Sequence, residues 1–309
     1  MKLTKILFAA CAAFVLASCA QQPKYATRVE KILAEMNDPN SEYVMVISHR
    51  GDWRNYPENS IPAIESLIRM GGDMMELDVK MTSDSVLVLM HDKNVDRMTN
   101  GKGLVSSYTL DSLKKLKMKR AHNVATDSVR VPTLREAFEC CKDRILINVD
   151  HAQDYYKEIV ELADEMGMTG QVLMKGKKSI DQVAADMAPY KNNLLYMPII
   201  DINKPKGQAL FAEYQERGVV PMAYEVCWQY PGEELENCVA RILETGSKAW
   251  VNTLWPSLCG GPGNDDDAAF DAADPADVYG QYLDMGFSMI QTDRPEFLIN
   301  YLRSVGRHD

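Results

Sequence analysis

Short apolar runs alternate with longer amphipathic stretches along most of the chain. The runs resemble buried strands and cover residues 44–48, 74–79, 86–90, 145–150, 172–175, 194–200, 219–226, 249–254 and 288–292. The stretches between them have helical spacing of apolar residues, over 61–70, 134–141, 155–166, 180–187, 209–217 and 233–245. Glycine often follows a helical stretch, as at Gly71 and Gly286, where a helix commonly ends in a left-handed residue. The pattern predicts strands and helices in alternation.

Alternating strands and helices are typical of an α/β protein with a parallel sheet covered by helices. The runs suit a single-domain, TIM-type (β/α)8 barrel, with one run outside the ring and a small insert between the third and fourth strands. We expect the run at 219–226 to be the one outside, because Pro221 cannot donate to a strand ladder. A doubly wound open sheet is the alternative, but no glycine-rich dinucleotide motif follows an early strand.

The N-terminus has the features of an export signal. Lys2 and Lys5 precede a short apolar stretch over 6–16, which is too short to span a bilayer. The tetrad 16–19 (LASC) resembles the bacterial lipoprotein signal and predicts a signal peptide over 1–18 with a lipid on Cys19. A plain cleaved signal is the alternative. We therefore expect a tether and N-terminal helix over 19–43, a barrel over 44–309, and an exported protein anchored by lipid to the cell envelope, periplasm-facing or on the cell surface.

Composition and charge limit the kinds of molecule that this protein is expected to bind. The 309 residues contain 34 Lys and Arg against 44 Asp and Glu, so the net charge is −10. An acidic chain of this kind argues against nucleic acid as the main partner, because binding a phosphate backbone needs clustered cations. A small phosphate-bearing substrate remains compatible. The cysteines beyond Cys19 lack paired spacing, which argues against a disulfide framework or a zinc site.

Carboxylates follow the predicted strands at the end where barrel enzymes have their active sites. Glu76 and Asp78 are two residues apart on one strand, so their side chains point to the same face. Asp150 ends another strand and is a third candidate ligand. Hard oxygen ligands favour Ca²⁺ or Mg²⁺ over zinc. The alternative is a structural salt-bridged pair.

Two histidines and an arginine also lie at strand ends. His49 and His91 come from different strands, and a pair of imidazoles can act as general acid and base near neutral pH. Arg50 presents a planar guanidinium that can bind two phosphate oxygens. A single strand-end histidine is commonly structural, but the convergence of these groups with the carboxylates predicts metal-assisted phosphoester chemistry.

Several motifs, taken together, resemble the glycerophosphodiester phosphodiesterase family. They occupy 49–51 (HRG), 57–60 (PENS), 76–79 (ELDV), 91–92 (HD), 97–103 (RMTNGKG), 251–255 (VNTLW) and 291–295 (QTDRP). The resemblance covers roughly 44–302. It implies a β/α barrel, a divalent cation, commonly Ca²⁺ or Mg²⁺, and hydrolysis of a glycerophosphodiester to glycerol 3-phosphate and an alcohol.

The resemblance also implies roles for individual residues. His49 and His91 would be the acid–base pair, Glu76 and Asp78 would bind the metal, and Arg50 would contact the phosphate. The PENS motif, with Glu58 and Asn59, would shape the pocket.

Two positions depart from the family pattern. Asp150 lies where the family usually has a metal-binding Glu, and Ala152 where it usually has a phosphate-contacting Lys. Lys175, at the end of the next strand, could supply the missing charge, and His151 is the other candidate. If neither does so, the substrate could be another lipid, a polyol-phosphate or a sugar phosphodiester. A non-catalytic binding lipoprotein is the remaining alternative.

Three further features have open interpretations. Trp255 could stack on the substrate or belong to the core. The aspartate-rich stretch 260–277 could bind a second Ca²⁺ or cover the substrate, but we expect a solvated loop. The basic run 113–120 (LKKLKMKR) in the insert could steer anionic substrates, although such runs are usually an exposed helix face.

Overall fold

The chain forms a closed eight-stranded parallel barrel. The computed structural model describes residues 24–150, 152–187 and 195–309, so the signal sequence, Cys19 and His151 lie outside the described residues. The strands within this part are β1 Met45–His49, β2 Met74–Met81, β3 Leu87–Leu89, β4 Leu146–Asp150, β5 Val172–Gly176, β6 Leu195–Asp201, β7 Ala223–Cys227, β8 Lys248–Asn252 and β9 Met289–Thr292. The ring has the order β1-β2-β4-β5-β6-β7-β8-β9, and β1 closes it by pairing with both β2 and β9. The predicted TIM-type barrel is confirmed.

Helices cover the outside of the barrel. In the described part they are α1 Arg28–Asn37, α2 Ile61–Met70, α3 Leu110–Leu113, α4 Leu134–Cys141, α5 Tyr156–Glu165, α6 Ile180–Met187, α7 Pro205–Glu216, α8 Glu233–Glu244, α9 Asp266–Asp271, α10 Ala276–Met285 and α11 Pro295–Ser304. Local signals set their ends. The Ser60 hydroxyl accepts from the Ala63 amide at the start of α2, and Gly71 ends that helix with φ of 98°. The helices predicted over 61–70, 134–141 and 180–187 have these bounds.

The prediction that the run at 219–226 lies outside the ring is wrong. Strand β7 begins at Ala223, so Pro221 precedes the ladder and costs it no hydrogen bond. The strand outside the ring is β3, which pairs antiparallel with the last residues of β2. This pairing is available because β2 has eight residues and extends beyond its parallel neighbours.

The barrel interior below its C-terminal end is filled with apolar side chains. Trp250 is the largest of them and is fully buried. It packs with inward-facing residues of neighbouring strands, among them Ile47, Met74, Leu173 and Met289. Two further apolar layers lie between the strands and the helices. Polar chemistry is therefore confined to the ends of the strands, as in other barrels of this type.

The insert between β3 and β4 has a small core of its own. Met90, Val95, Met98 and Met118 are buried there and pack together with β3. The insert lies beside the end of the barrel where β2 and β4 finish. It therefore supplies one wall of the space above those strands.

The described residues show no covalent cross-link and no membrane span. All of the cysteines in this part of the chain, at positions 140, 141, 227, 238 and 259, are free thiols. No helix among the described residues combines the length and apolarity needed to cross a bilayer.

A buried carboxylate joins both ends of the described chain to the N-terminal face of the barrel. Asp73 is fully buried and accepts from the Val46 amide at 2.9 Å and from the Tyr43 hydroxyl at 2.8 Å. Arg28, the first residue of α1, lies 3.1 Å from it, and His308 lies 3.0 Å from it. Asp73 thus holds α1 and the C-terminal segment together.

We expect Asp73→Ala to lower the free energy of unfolding by about 3 kcal/mol, because it leaves several buried donors without their acceptor. Chemical denaturation monitored by circular dichroism measures this change. Glu42→Ala is the matched control, since Glu42 is an exposed acid on the same face of the barrel. Equal stabilities of the two variants would show that the Asp73 cluster does not hold the termini.

Candidate active site

Three carboxylates meet at the C-terminal end of the barrel. Glu76 and Asp78 come from β2, and Asp150 ends β4, whose register places it beside Asp78. One oxygen from each carboxylate lies within 4.8 Å of the others. Glu76 and Asp78 are buried, and Asp150 is half-buried. The predicted shared face of Glu76 and Asp78 is confirmed, and the structure brings Asp150 to it.

The electrostatics of this cluster favour a bound cation. Burial raises the pKa of Glu76 well above its usual range, and the nearby charges of Asp78 and Asp150 raise it further. Lys175 and Arg50 oppose this shift only in part. Three converging oxygen ligands that repel one another fit a hard divalent cation such as Ca²⁺ or Mg²⁺.

The loop after β1 holds two of these carboxylates in place. Asn59 is buried, donates from Nδ2 to Oδ2 of Asp78 at 2.9 Å and accepts from the Asp78 amide at 3.0 Å. The Arg50 amide donates to Oε2 of Glu76 at 3.0 Å. Asn59 and Arg50 have φ of 54° and 55°, the left-handed region that side chains rarely adopt. This backbone is maintained by the contacts that orient the carboxylates.

Lys175 lies within the barrel mouth and not in solvent. Its Nζ is 3.0 Å from Oε2 of Glu225 on β7 and 3.7 Å from Oδ2 of Asp150. Burial lowers the pKa of Lys175, but Asp150, Glu225 and Glu76 outweigh it, so the net pKa lies above its ordinary value. The side chain therefore places a permanent positive charge beside the carboxylate cluster.

Ala152, at the position where the family usually has Lys, belongs to the hydrophobic core. It is buried in the apolar layer that packs the barrel against α5. Among the described residues, Lys175 is thus the lysine whose ammonium contacts the cluster at Asp150.

His49 ends β1 and forms a pair with an acid that sequence reasoning did not single out. Its Nδ1 lies 2.8 Å from Oδ1 of Asp293, which follows β9, the neighbouring strand of the ring. The Trp53 indole donates to the same oxygen at 2.7 Å. Asp293 belongs to the QTDRP segment, so the motif and its place after a strand were the available signals.

Asp293 is in turn held by a buried residue of the aspartate-rich stretch. Its amide donates to Oδ2 of Asp266 at 2.6 Å, while Thr253 and Tyr279 donate to Oδ1. Burial raises the pKa of Asp266 to about 7, against the effect of these hydrogen bonds. The expectation of a solvated loop is therefore wrong here, because Asp266 is buried and Asp265 caps α9.

His91 lies just beyond β3 and begins a series of linked hydrogen bonds and ion pairs. Its Nδ1 is 2.7 Å from Oδ1 of Asp92, and Arg97 donates to both oxygens of Asp92. Arg97 also contacts Glu58 at 2.8 Å, and Glu58 contacts Arg50 at 3.1 Å. Hydrogen bonds from Arg97 lower the pKa of Asp92 to about 2. The series ends at the carboxylate cluster, where Nε of Arg50 is 3.4 Å from Asp78.

Trp255 stands at the mouth of the barrel and is not part of the core. It is 42% exposed, and its ring lies 5.9 Å from that of His49 in an edge-on arrangement. It lines a cavity of about 280 Å³ together with His49, Arg50, Trp53 and Asp293. A small polar ligand in this cavity would contact an aromatic wall, an imidazole and a guanidinium.

We expect Asp293→Ala to lower kcat roughly 10- to 100-fold with little change in KM, because Asp293 orients His49 and lines the cavity only at its wall. Asp293→Asn retains an acceptor oxygen and should recover part of the loss. Steady-state kinetics on both variants measures the effect, with the exposed Asp267→Ala as control. A rise in KM with kcat intact would instead assign Asp293 to substrate binding.

Comparisons with known proteins agree with this site. The model of the glycerophosphoryl diester phosphodiesterase family matches residues 49–224, which include the histidines, the carboxylates and Lys175. The chain belongs to this family. A second model, of a domain of unknown function, matches residues 196–302.

Individual relatives match in sequence over about a third of the chain and in structure over most of it. A glycerophosphodiester phosphodiesterase of Caldanaerobacter subterraneus is 44% identical over 107 residues, 34% of this chain and 44% of that protein, so the match spans less than half of the relative. A glycerophosphoryl diester phosphodiesterase crystal structure from Parabacteroides distasonis superimposes with a TM-score of 0.74 at 20% identity and covers 90% of this chain and 92% of that one. An Oleispira antarctica phosphodiesterase in complex with the product sn-glycerol-3-phosphate gives a TM-score of 0.59 at 18% identity, over 84% and 96% of the two chains.

Proposed function

We propose that the protein hydrolyses glycerophosphodiesters to glycerol 3-phosphate and an alcohol, with a bound divalent cation and two histidines as acid and base. The observation that carries the proposal is the convergence of Glu76, Asp78 and Asp150 within 4.8 Å at the barrel end that also bears His49 and His91. The relatives' names support the activity, and the Oleispira antarctica complex supports glycerol 3-phosphate as the product.

Glu76, Asp78 and Asp150 would hold the cation, Ca²⁺ or Mg²⁺. When bound, the cation neutralises phosphate charge and so lowers the barrier to attack on phosphorus. Asn59 keeps Asp78 oriented through its two hydrogen bonds, and the Arg50 amide does the same for Glu76. The ligands are thus oriented by the fold before any cation arrives.

The two histidines handle the protons. In each, Nδ1 faces a carboxylate, Asp293 for His49 and Asp92 for His91, and we assign the proton transfer to Nε2, the nitrogen on the opposite side of the ring. One histidine removes a proton from the nucleophile, either water or the glycerol 2-hydroxyl. The other protonates the departing alcohol oxygen. Where the 2-hydroxyl is the nucleophile, this step gives a cyclic glycerol phosphate, and a water molecule deprotonated by one histidine then opens the ring to glycerol 3-phosphate while the other protonates the ring oxygen that leaves. Either assignment of the two roles is compatible with these contacts.

Arg50 and Lys175 would bind the phosphate. Arg50 lies beside Asp78 with its guanidinium held by Glu58, in position for two phosphate oxygens. Lys175 carries its charge beside Asp150. It would take the place of the lysine that the family usually has at the position of Ala152. Trp255, half-exposed beside His49, would cover the apolar edge of the glycerol.

The identity of the products tests the proposal. Purified protein with sn-glycero-3-phosphoethanolamine and Ca²⁺ or Mg²⁺ should release glycerol 3-phosphate and ethanolamine, both quantified by mass spectrometry. Release of glycerol and phosphoethanolamine would mean cleavage of the other ester bond. Absence of turnover of this diester and of the choline, serine, glycerol and inositol diesters would contradict the proposal.

A different diester is the second candidate, and the placement of Ala152 favours it. Because Ala152 is buried away from the mouth, the phosphate is approached here from β5 by Lys175 and not from β4. A changed angle of approach would suit another lipid, polyol-phosphate or sugar phosphodiester. Loss of preference between diesters in Lys175→Met would support this reading, whereas a uniform loss of rate would favour the first one.

We also propose that Cys19 carries the lipid that anchors the exported protein to the cell envelope. The support is the LASC tetrad after a charged start and an apolar stretch. Metabolic labelling with a fatty acid should mark the wild type and not Cys19→Ala. Labelling of both would contradict this anchor.

A further inference from the structure

A second cavity adjoins the active-site cavity on the side of the insert. It has a volume of about 270 Å³, and Trp53, Glu58 and Arg97 line both cavities. The rest of its wall comes from the insert, through Met98, through Lys119 and Arg120 of the basic run, and through residues 121–123, which include His122. A ligand in the first cavity could therefore extend directly into the second.

The cations of the basic run differ in their partners. Lys114, Lys115 and Lys117 each have a carboxylate oxygen within 2.7 Å, from Glu136, Asp111 and Asp127 respectively. These three lysines form the kind of solvated, ion-paired surface that is usual for a basic run.

Lys119 and Arg120 have no ion pair with any of the described residues, and the Lys119 ammonium donates to the Asp96 carbonyl oxygen at 2.8 Å. They are also the two cations of the run that face the second cavity. The unpaired charges thus coincide with the cavity wall.

The acid on this wall does not offset the cations. Arg97 and Arg50 surround Glu58, and together they outweigh its burial and lower its pKa below the usual range. The negative charge of Glu58 is therefore neutralised by these two arginines and does not cancel the charges of Lys119 and Arg120. The second cavity is therefore positive in a protein whose net charge is −10.

We propose that the second cavity is a subsite for a negatively charged group, a carboxylate or a phosphate, on the alcohol half of the substrate. The inference rests on the proposed function. The glycerol half of a glycerophosphodiester has only uncharged hydroxyl groups, so the variable alcohol half is the part that can bring a second anion. The substrate class is accordingly glycerophosphodiesters with an anionic alcohol, in preference to those with a purely cationic one.

Two pairs of substrates, each differing by a single anionic group, test this. Glycerophosphoserine differs from glycerophosphoethanolamine by a carboxylate, and glycerophosphoinositol 4-phosphate differs from glycerophosphoinositol by a phosphate. We expect kcat/KM to be about threefold to fivefold higher for the anionic member of at least one pair, since partly exposed ion pairs contribute modestly. The substrate pair that shows this preference tells whether the subsite binds a carboxylate or a phosphate. Added salt should reduce the preference.

Arg120→Gln and Lys119→Met should each reduce this ratio toward one, without lowering the rate on the partner that lacks the anion. Arg120→Lys should retain it. Lys115→Gln is the matched control, because that lysine pairs with Asp111 away from the cavity. A wild type without preference in either pair, or a preference unchanged in both variants, would overturn the subsite.

Failure of the proposed function is distinguishable from failure of the subsite. If no diester turns over, the function is wrong, and the same substrate pairs are compared by calorimetric titration of the full chain with cation present. Tighter binding of an anionic member that Arg120→Gln abolishes would support the subsite. Equal binding within both pairs would overturn it.

Discussion

His49→Ala and His91→Ala are each expected to lower kcat by about 10²–10⁴, the range that a positioned acid or base contributes. Their Nδ1 atoms are held by Asp293 and Asp92, so removal of either ring takes away an oriented proton carrier. Steady-state kinetics on glycerophosphoethanolamine measures the loss. Unchanged circular dichroism and thermal unfolding would show that each variant remains folded.

A diester with an activated leaving group separates the two roles. The p-nitrophenyl diester of glycerol 3-phosphate needs little protonation of its leaving oxygen, so it should restore most of the rate to the variant that lacks the general acid. The variant that lacks the base should stay slow. Rescue of both variants, or less than a tenfold loss in both, would contradict the acid–base pair.

Removal of the divalent cation should abolish activity, and Ca²⁺ or Mg²⁺ should restore it. Glu76, Asp78 and Asp150 repel one another in a largely buried site, so the same cation should raise the melting temperature. At a hundred times the dissociation constant the gain in unfolding free energy is about 2.7 kcal/mol. Thermal unfolding with and without chelator measures it independently of catalysis.

Glu76→Gln should change the melting temperature in opposite directions with and without the cation, relative to the wild type. Without cation this variant should melt at a higher temperature than the wild type, because it removes a buried carboxylate whose pKa is raised by burial and by the charges of Asp78 and Asp150. Added cation should raise the melting temperature of this variant only slightly, so that in its presence the wild type is the more stable protein. The exposed Glu42→Gln is the control and should behave as the wild type in both conditions. Equal cation-induced shifts in Glu76→Gln and the wild type would place the ion elsewhere.

The barrel and its carboxylate cluster were predictable because they depend on local periodicity. Alternation along β2 puts Glu76 and Asp78 on one face, and parallel pairing with β4 brings Asp150 beside them. The run at 219–226, which contains most of β7, was wrongly placed outside the ring for a related reason. A proline weakens a strand only where its missing amide would enter the ladder, and Pro221 lies before that point.

The two acids that support His49, Asp293 directly and Asp266 through Asp293, could not be predicted from composition. Asp266 lies in a stretch rich in aspartate, which usually indicates solvated side chains, yet Thr253 and Tyr279 bury and satisfy it. The contact between Asp293 and His49 joins residues far apart in the chain and depends on closure of the ring between β1 and β9. Such long-range contacts follow from the tertiary fold.

A crystal structure with Mn²⁺ or Ca²⁺ and glycerol 3-phosphate tests the central claim most directly, since anomalous scattering locates the ion. We expect one ion bound by oxygens of Glu76, Asp78 and Asp150 at about 2.0–2.6 Å. The product phosphate should lie within hydrogen-bond distance of Arg50 and of one imidazole Nε2. An ion bound away from these three carboxylates, or a phosphate beyond the reach of both histidines, would contradict it.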